Sequence, residues 1–305
     1  NEYPATPEAM DALAGLRNVY MERGDFDGYM SYTSTLGGFA RVDMQERDSL
    51  MFLSAQRLYL RGEKSQAKEA LKKYLAAFAD GRFVTGANYY LGDCQYVEQD
   101  FEGALLSYVY VAQQPRSIYT EDALLRSGEL YYKAGKYLES CDMFLRLEEE
   151  AEVETNKTEA IIGQMRCQQK LGDLEKCVLG ADKVIDMVGA TPEILREAKY
   201  LRATSLIKLS RETEAMSDLK ELALNTKSEE GAEAKYQIAQ IYFDQKDYSS
   251  AEKEIFSYIE NGTPHQYWLA RSFVLLADIY HMQGDDFQAR QYLESLQENY
   301  NRRAF

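Results

Sequence analysis

Basic charge, histidine, cysteine and proline are all scarce in this chain, and each shortage narrows what it can do. Lys and Arg number 35 against 50 Asp and Glu, leaving a net charge of −15 in 305 residues. Affinity for a phosphate backbone is assembled from many Lys and Arg contacts, so nucleic acid is excluded as a partner class, whereas basic peptides are not. The acidic residues are dispersed; their one dense run, Glu148 to Glu154, falls at the expected end of a helix and reads as a solvated face. Only His265 and His281 carry imidazoles, with no carboxylate or thiol at ligand spacing from either, so no metal site is expected. No phosphate-cradling glycine loop, nucleophile elbow or zinc-protease motif occurs, and acidic pairs such as Glu148 and Glu152 are helix-face neighbours. Neither a cofactor nor an enzymatic activity is expected.

Four cysteines are too few for a disulfide framework. Cys94 and Cys167 share one register of two different helices and Cys177 sits in a small-residue position, so they read as packed small hydrophobes. Cys167 and Cys177 are the pair that a helix hairpin would bring together. No run of about 18 apolar residues exists to span a membrane. The chain begins at Asn1 with neither Met nor leader, which reads as a processed or trimmed product.

What the sequence does hold is a beat. In the stretch from Ala232 to Ile259, small residues stand at Ala239 and Ala251, separated by a turn. The same paired slots recur at Ala55 and Ala67, Gly92 and Ala104, Gly128 and Ser140, Ala203 and Ala215, and Ala277 and Ala289. Met165 and Cys177 hold the register with larger side chains, and Arg17 and Tyr29 hold it in a looser first unit. Two helix axes in a hairpin come closest near the turn, and only Gly, Ala or Ser lets them approach to the short end of about 8–10 Å. Around the slots apolar residues follow helical spacing, as in Tyr236, Ala239 and Phe243. Gly24, Gly62, Gly135, Gly172 and Gly284 stand where a first helix should end left-handed, and Asp25, Asp100, Asp173, Asp247 and Asp285 where a second should be capped. Thr191 with Pro192 and Thr263 with Pro264 read as N-caps followed by Pro at the first helical position.

The units this predicts run 6–38, 43–79, 82–114, 118–150, 156–188, 192–225, 229–261 and 265–301, the first degenerate and the rest regular, in one domain over residues 1–305. The expected fold is all-α, a right-handed α-solenoid of about eight helix hairpins. Ending at Arg302-Arg303-Ala304-Phe305 directly after a second helix, the chain reads as truncated or as self-associating through an array end.

The pattern resembles the tetratricopeptide repeat (TPR) over nearly the whole chain. It does so through the small pair, the first-helix aromatics Tyr20, Tyr131, Tyr242 and Tyr280, and the aromatics after the turn, Phe26, Phe101, Tyr137 and Tyr248. It departs from the family in a longer period, in Lys64 and Glu212 at the turn-aromatic position, and in Phe287, which is displaced by one; a Sel1-like relative is the alternative. Within the family it is most similar to bacterial cell-envelope proteins of the outer-membrane assembly lipoprotein and TolA-binding types, a resemblance that leaves the compartment open while favouring the periplasm or envelope over the cytoplasm. The resemblance implies a non-enzymatic scaffold that binds a protein or peptide in its concave groove. The competing reading is a structural segment of a larger repeat protein whose binding site lies elsewhere.

Carried across by register, the family's groove positions fall three before, one after and four after the first small slot. The residues so implied as partner-binding are Tyr59, Tyr89, Asp93, Tyr96, Glu129, Tyr132, Arg166, Tyr200, Tyr236, Gln240 and Phe243. Rings at these positions would equally pack between neighbouring first helices, whereas Asp93, Glu129, Arg166 and Asp278 need no charge for packing. Trp268, outside the slots, is expected to seal the joint before the last unit.

Overall fold

The hairpins begin and end where the turn chemistry dictates. The computed structural model describes residues 6–301, and among these it contains sixteen α-helices and no strand. They are α1 (Pro7–Arg23), α2 (Phe26–Ser34), α3 (Met44–Leu60), α4 (Lys64–Ala77), α5 (Val84–Val97), α6 (Phe101–Ala112), α7 (Thr120–Lys133) and α8 (Tyr137–Glu150), followed by α9 (Glu154–Leu171) and α10 (Leu174–Ile185). The last six are α11 (Pro192–Lys208), α12 (Glu212–Leu222), α13 (Glu229–Asp244), α14 (Tyr248–Asn261), α15 (Gln266–Met282) and α16 (Asp286–Asn301). Paired in order, they are the eight hairpins that the beat predicts. The chain divides into two compact units, one up to Gly163 and one from Gln164 on, with the division inside α9. The terminal residues 302–305, on which the expectation of a self-associating end rests, lie outside the described residues.

All eight hairpin turns close with the same backbone bond. The N–H of the residue entering the second helix donates to a carbonyl in the last turn of the first, as Asp25 does to Tyr20, Asp100 to Gln95, Arg211 to Leu206 and Asp285 to Tyr280, each at 2.8–2.9 Å. That closure puts the preceding residue in the left-handed region, which glycine enters without a Cβ penalty. Gly24, Gly62, Gly135, Gly172 and Gly284 occupy it at φ between 71° and 84°. In the other three turns Gln99, Ser210 and Lys246 are forced to φ near 60° without that freedom. Asp25, Asp100, Asp173, Asp247 and Asp285 then accept from backbone N–H groups of their second helices at 2.9–3.4 Å. Thr191 caps α11 with Pro192 at its start. Thr263 does not cap α15: its Oγ1 accepts from the N–H of His265, Pro264 stays outside, and the helix starts at Gln266.

In the unit up to Gly163, α4 lies between α3 and α5, and α6 between α5 and α7. In the unit from Gln164 on, α12 lies between α11 and α13, and α14 between α13 and α15. The slots are close approaches. A Cβ on Gly92 would sit 3.0 Å from the Tyr108 ring, and one on Gly128 2.9 Å from the Phe144 ring. Tyr108 and Phe144 stand four residues after the second slots of their hairpins, and the same offset holds buried Leu71, Leu219 and Ile255 where the first slot is Ala. Hairpin five reverses the sizes. There the first slot is Met165 and the offset residue is Ala181, both fully buried, while Gly180 lets α10 approach the Met165 backbone, which a Cβ would meet at 3.3 Å. Core volume is conserved with large and small side chains exchanged, the kind of swap that packing tolerates best. Cys94, Cys167 and Cys177 are buried, and no pair of them is bridged.

Candidate functional site

The first helices carry the residues at the groove register, and the structure sorts them into three arrangements. Four residues after the first slot, Tyr96, Tyr132 and Phe243 each lean on the aromatic that follows their own turn. Ring centroids are 5.5 Å apart for Tyr96 and Phe101, 5.2 Å for Tyr132 and Tyr137, and 5.5 Å for Phe243 and Tyr248. All three first-helix rings are half-buried. Two cations approach the Tyr96 ring: Arg126, which also pairs with Glu129 at 3.3 Å, lies 5.4 Å from its centroid and Lys133 lies 5.8 Å away.

The second arrangement ties one hairpin to the next. Tyr89 donates to Asp122 at 2.9 Å and Tyr200 to Glu233 at 2.7 Å; each acid stands six residues before the first slot of the following hairpin. Arg166 makes a two-pronged pair with Glu197 at 2.6 and 2.7 Å, a half-exposed pair whose worth solvent holds to about 1 kcal/mol or less. Asp93 accepts from Tyr59 and, at 2.6 Å, from Tyr108. Its charge is therefore used, at least in part, inside the fold. Burial and then the carboxylate partner keep the Tyr59, Tyr108 and Tyr200 hydroxyls protonated well above the ordinary phenol range; at Tyr89 burial leads and the Asp93 and Asp122 charges follow. Around these ties the rings of Tyr59, Tyr90, Tyr89 and Tyr119 run in a ladder with centroids 4.5 to 5.6 Å apart. The ties between hairpins join residues 31 to 34 apart with no local signal, and sequence reading missed them.

The third arrangement corrects an expectation. Tyr236 is only 5 % exposed, because Trp268 and Arg271 of α15 lie over it. It cannot serve as an anchor for direct contact. Its hydroxyl donates to Gln240 Oε1 at 2.8 Å and accepts from Arg271 at 2.9 Å, while Gln240 donates on to Asp244 at 2.9 Å. Trp268 packs against the core that holds Tyr236 and Leu276, as expected of a residue that seals this joint.

For nucleophilic or metal chemistry the surroundings offer little. Burial pushes the Cys94 thiol up to about 11, away from a reactive thiolate. Among the described residues no group of three His, Cys, Asp or Glu side chains is placed to hold a metal ion, and no helix is long and apolar enough to cross a membrane.

The family model for the tetratricopeptide repeat matches residues 122–151 and 266–300, that is, α7 with α8 and α15 with α16. No curated protein matches the chain. Among solved structures, a tetratricopeptide repeat protein from Parabacteroides merdae is 15% identical, with 82% of this chain and 92% of that chain covered and a TM-score of 0.43. A chain of the Naa15/Naa10 complex bound to HypK-THB is 12% identical, with 96% and 55% covered and a TM-score of 0.43. The TPR domain of P58(IPK) is 14% identical, with 97% and 85% covered and a TM-score of 0.31. Likenesses this distant carry no argument about function. Two of the eight hairpins therefore match the tetratricopeptide repeat model, and the others repeat the same helix–turn–helix unit.

Proposed function

We propose that the chain is a non-enzymatic scaffold that captures a peptide segment or a partner domain along the solvent side of its first helices. The observation that carries this reading is the repeated half-buried ring four residues after the first slot, Tyr96, Tyr132 and Phe243. Each is propped by a turn aromatic and is partly exposed. Tyr96 and Phe243 rest on the core with part of each ring exposed, which suits rigid aromatic contact surface. Tyr59, Tyr89 and Tyr200, half-buried and oriented by their hydroxyl bonds, extend that surface, with Asp93, Glu129 and Arg166 supplying charge beside it. A bacterial envelope assembly is the setting we propose, on the resemblance of the repeat alone.

Tyr96→Ala and Tyr132→Ala are each expected to weaken capture of a partner from lysate while lowering Tm much less than Tyr108→Ala, whose ring is fully buried. Capture that survives both changes would reject this surface. The exposed Met282, Phe287 and Leu293 of the last hairpin favour self-association as the competing role, which a concentration-dependent sedimentation coefficient would establish.

A further inference from the structure

Six residues before the first slot, hairpins four, six and seven carry Asp122, Glu197 and Glu233, each accepting from the hairpin before it. In the last hairpin the same position is Arg271, and the sign is reversed. Its guanidinium stands 4.5 Å from the Tyr236 centroid, 5.8 Å from Trp268 and 6.0 Å from Tyr267, and one Nη2 hydrogen is spent on the Tyr236 hydroxyl. No Asp or Glu among the described residues forms an ion pair with it. The carboxylate at the end of its hydrogen-bond chain, Asp244, is reached only through the Tyr236 hydroxyl and the Gln240 amide.

A guanidinium has five N–H donors in a planar fork, and here three ring centroids lie within 6.0 Å of it and one donor is fixed on the Tyr236 hydroxyl, so less rotamer freedom remains to be lost when a ligand arrives. Arg271 is exposed, and so is Tyr267, at 61 %. One turn after another along the same face of α15, Val274, Asp278 and His281 are exposed as well. The outcome is an exposed, oriented cation in an acidic chain, with an exposed ring one turn away.

We propose that Arg271, set on Tyr236, Trp268 and Tyr267, is a binding site for an acidic side chain, the carboxylate of an Asp or Glu within a partner peptide, with Tyr267 packing against the residue beside it. The proposal rests on the reading that first helices are the partner surface, and it names the chemistry of the partner. Two forked N–H···O bonds would fix the carboxylate, a geometry that a Lys at this position would not reproduce.

Trp268 is the only tryptophan in the chain and lies under the guanidinium, so its fluorescence reports on this site alone. The test uses three short peptides capped at both ends, built from Glu, Gly and Phe, from Gln, Gly and Phe, and from Lys, Gly and Phe. The Glu peptide is expected to change Trp268 emission saturably and to bind less well as salt rises, while the other two leave the emission unchanged. Arg271→Gln should weaken Glu-peptide binding by about tenfold or more, and Arg271→Lys should restore it only in part. Unchanged far-UV CD and Tm confirm that each variant is folded; if Arg271→Gln is not, Tyr267→Ala takes its place, with a smaller loss expected. Equal binding of the Glu and Gln peptides, full binding by folded Arg271→Gln or by its replacement, or no binding at all would overturn the proposal. Partner capture lost in Tyr96→Ala and Tyr132→Ala but intact in Arg271→Gln would remove this inference and keep the broader one. Acidic-peptide binding that depends on Arg271, with capture untouched by the two tyrosine changes, would do the reverse.

Discussion

At the scale of single residues, the turn glycines show how closely backbone and sequence agree, and the three exceptions show where they do not. Gln99, Ser210 and Lys246 are exposed residues held left-handed by the closing bond of their turns. An L-residue there gives up about 1–2 kcal/mol, of which glycine's extra unfolded freedom returns about 0.4–1 kcal/mol. Lys246→Gly is therefore expected to stabilise the protein by about 0.5–1 kcal/mol, seen as a higher urea midpoint at unchanged slope. A lower midpoint would show that the Lys246 side chain contributes something its exposure conceals. The five glycine turns were legible because φ is a local demand. Met165 was legible only as an oddity, since its match, Ala181, becomes visible once α9 and α10 are packed.

At the scale of elements, the joints matter as much as the hairpins. Between α4 and α5 the chain is pinned by Asp48 of α3, which is almost fully buried. It accepts from the Tyr74 hydroxyl at 2.6 Å and from the Arg82 N–H at 3.1 Å, and the same hydroxyl accepts from the Phe83 N–H at 3.1 Å. One carboxylate thus sets the angle at which the next hairpin leaves. Its sequence context, Arg47-Asp48-Ser49, looks like an ordinary polar helix face, which is why it went unnoticed. Removing it strands a buried hydroxyl and a backbone donor, so Asp48→Ala should cost about 2–4 kcal/mol in urea unfolding, with Asp48→Asn recovering part. A loss no larger than that of an exposed helix substitution would contradict this account of the joint. Thr263 teaches the converse: a cap motif was present, but its hydroxyl serves His265 and the helix starts later.

At the scale of the molecule, the tyrosines couple stability to pH. Tyr74, Tyr89, Tyr108 and Tyr200 hold their protons in the fold beyond the pH at which an exposed phenol, near 10, releases them. A folded-state pKa raised in this way leaves stability intact below about pH 10 and erodes it as pH climbs further, because the unfolded chain loses protons that the native chain keeps. Alkaline titration is expected to show these tyrosinates appearing together with loss of helical CD. Their appearance in a chain that stays fully helical would show that the hydroxyls reach solvent without unfolding.

The sequence by itself determined the all-α class, the eight hairpins, their turns and most of their caps, because each depends on residues inside one hairpin and recurs at a fixed offset. It also put Tyr96, Tyr132 and Phe243 at one register of their first helices, each five residues before the aromatic that follows its turn. Only the tertiary structure decided which polar groups are spent between hairpins, and that Tyr236 lies beneath Arg271 and Trp268. Those contacts bring together side chains more than thirty residues apart, and the direction in which each points is set by packing that no local spacing encodes.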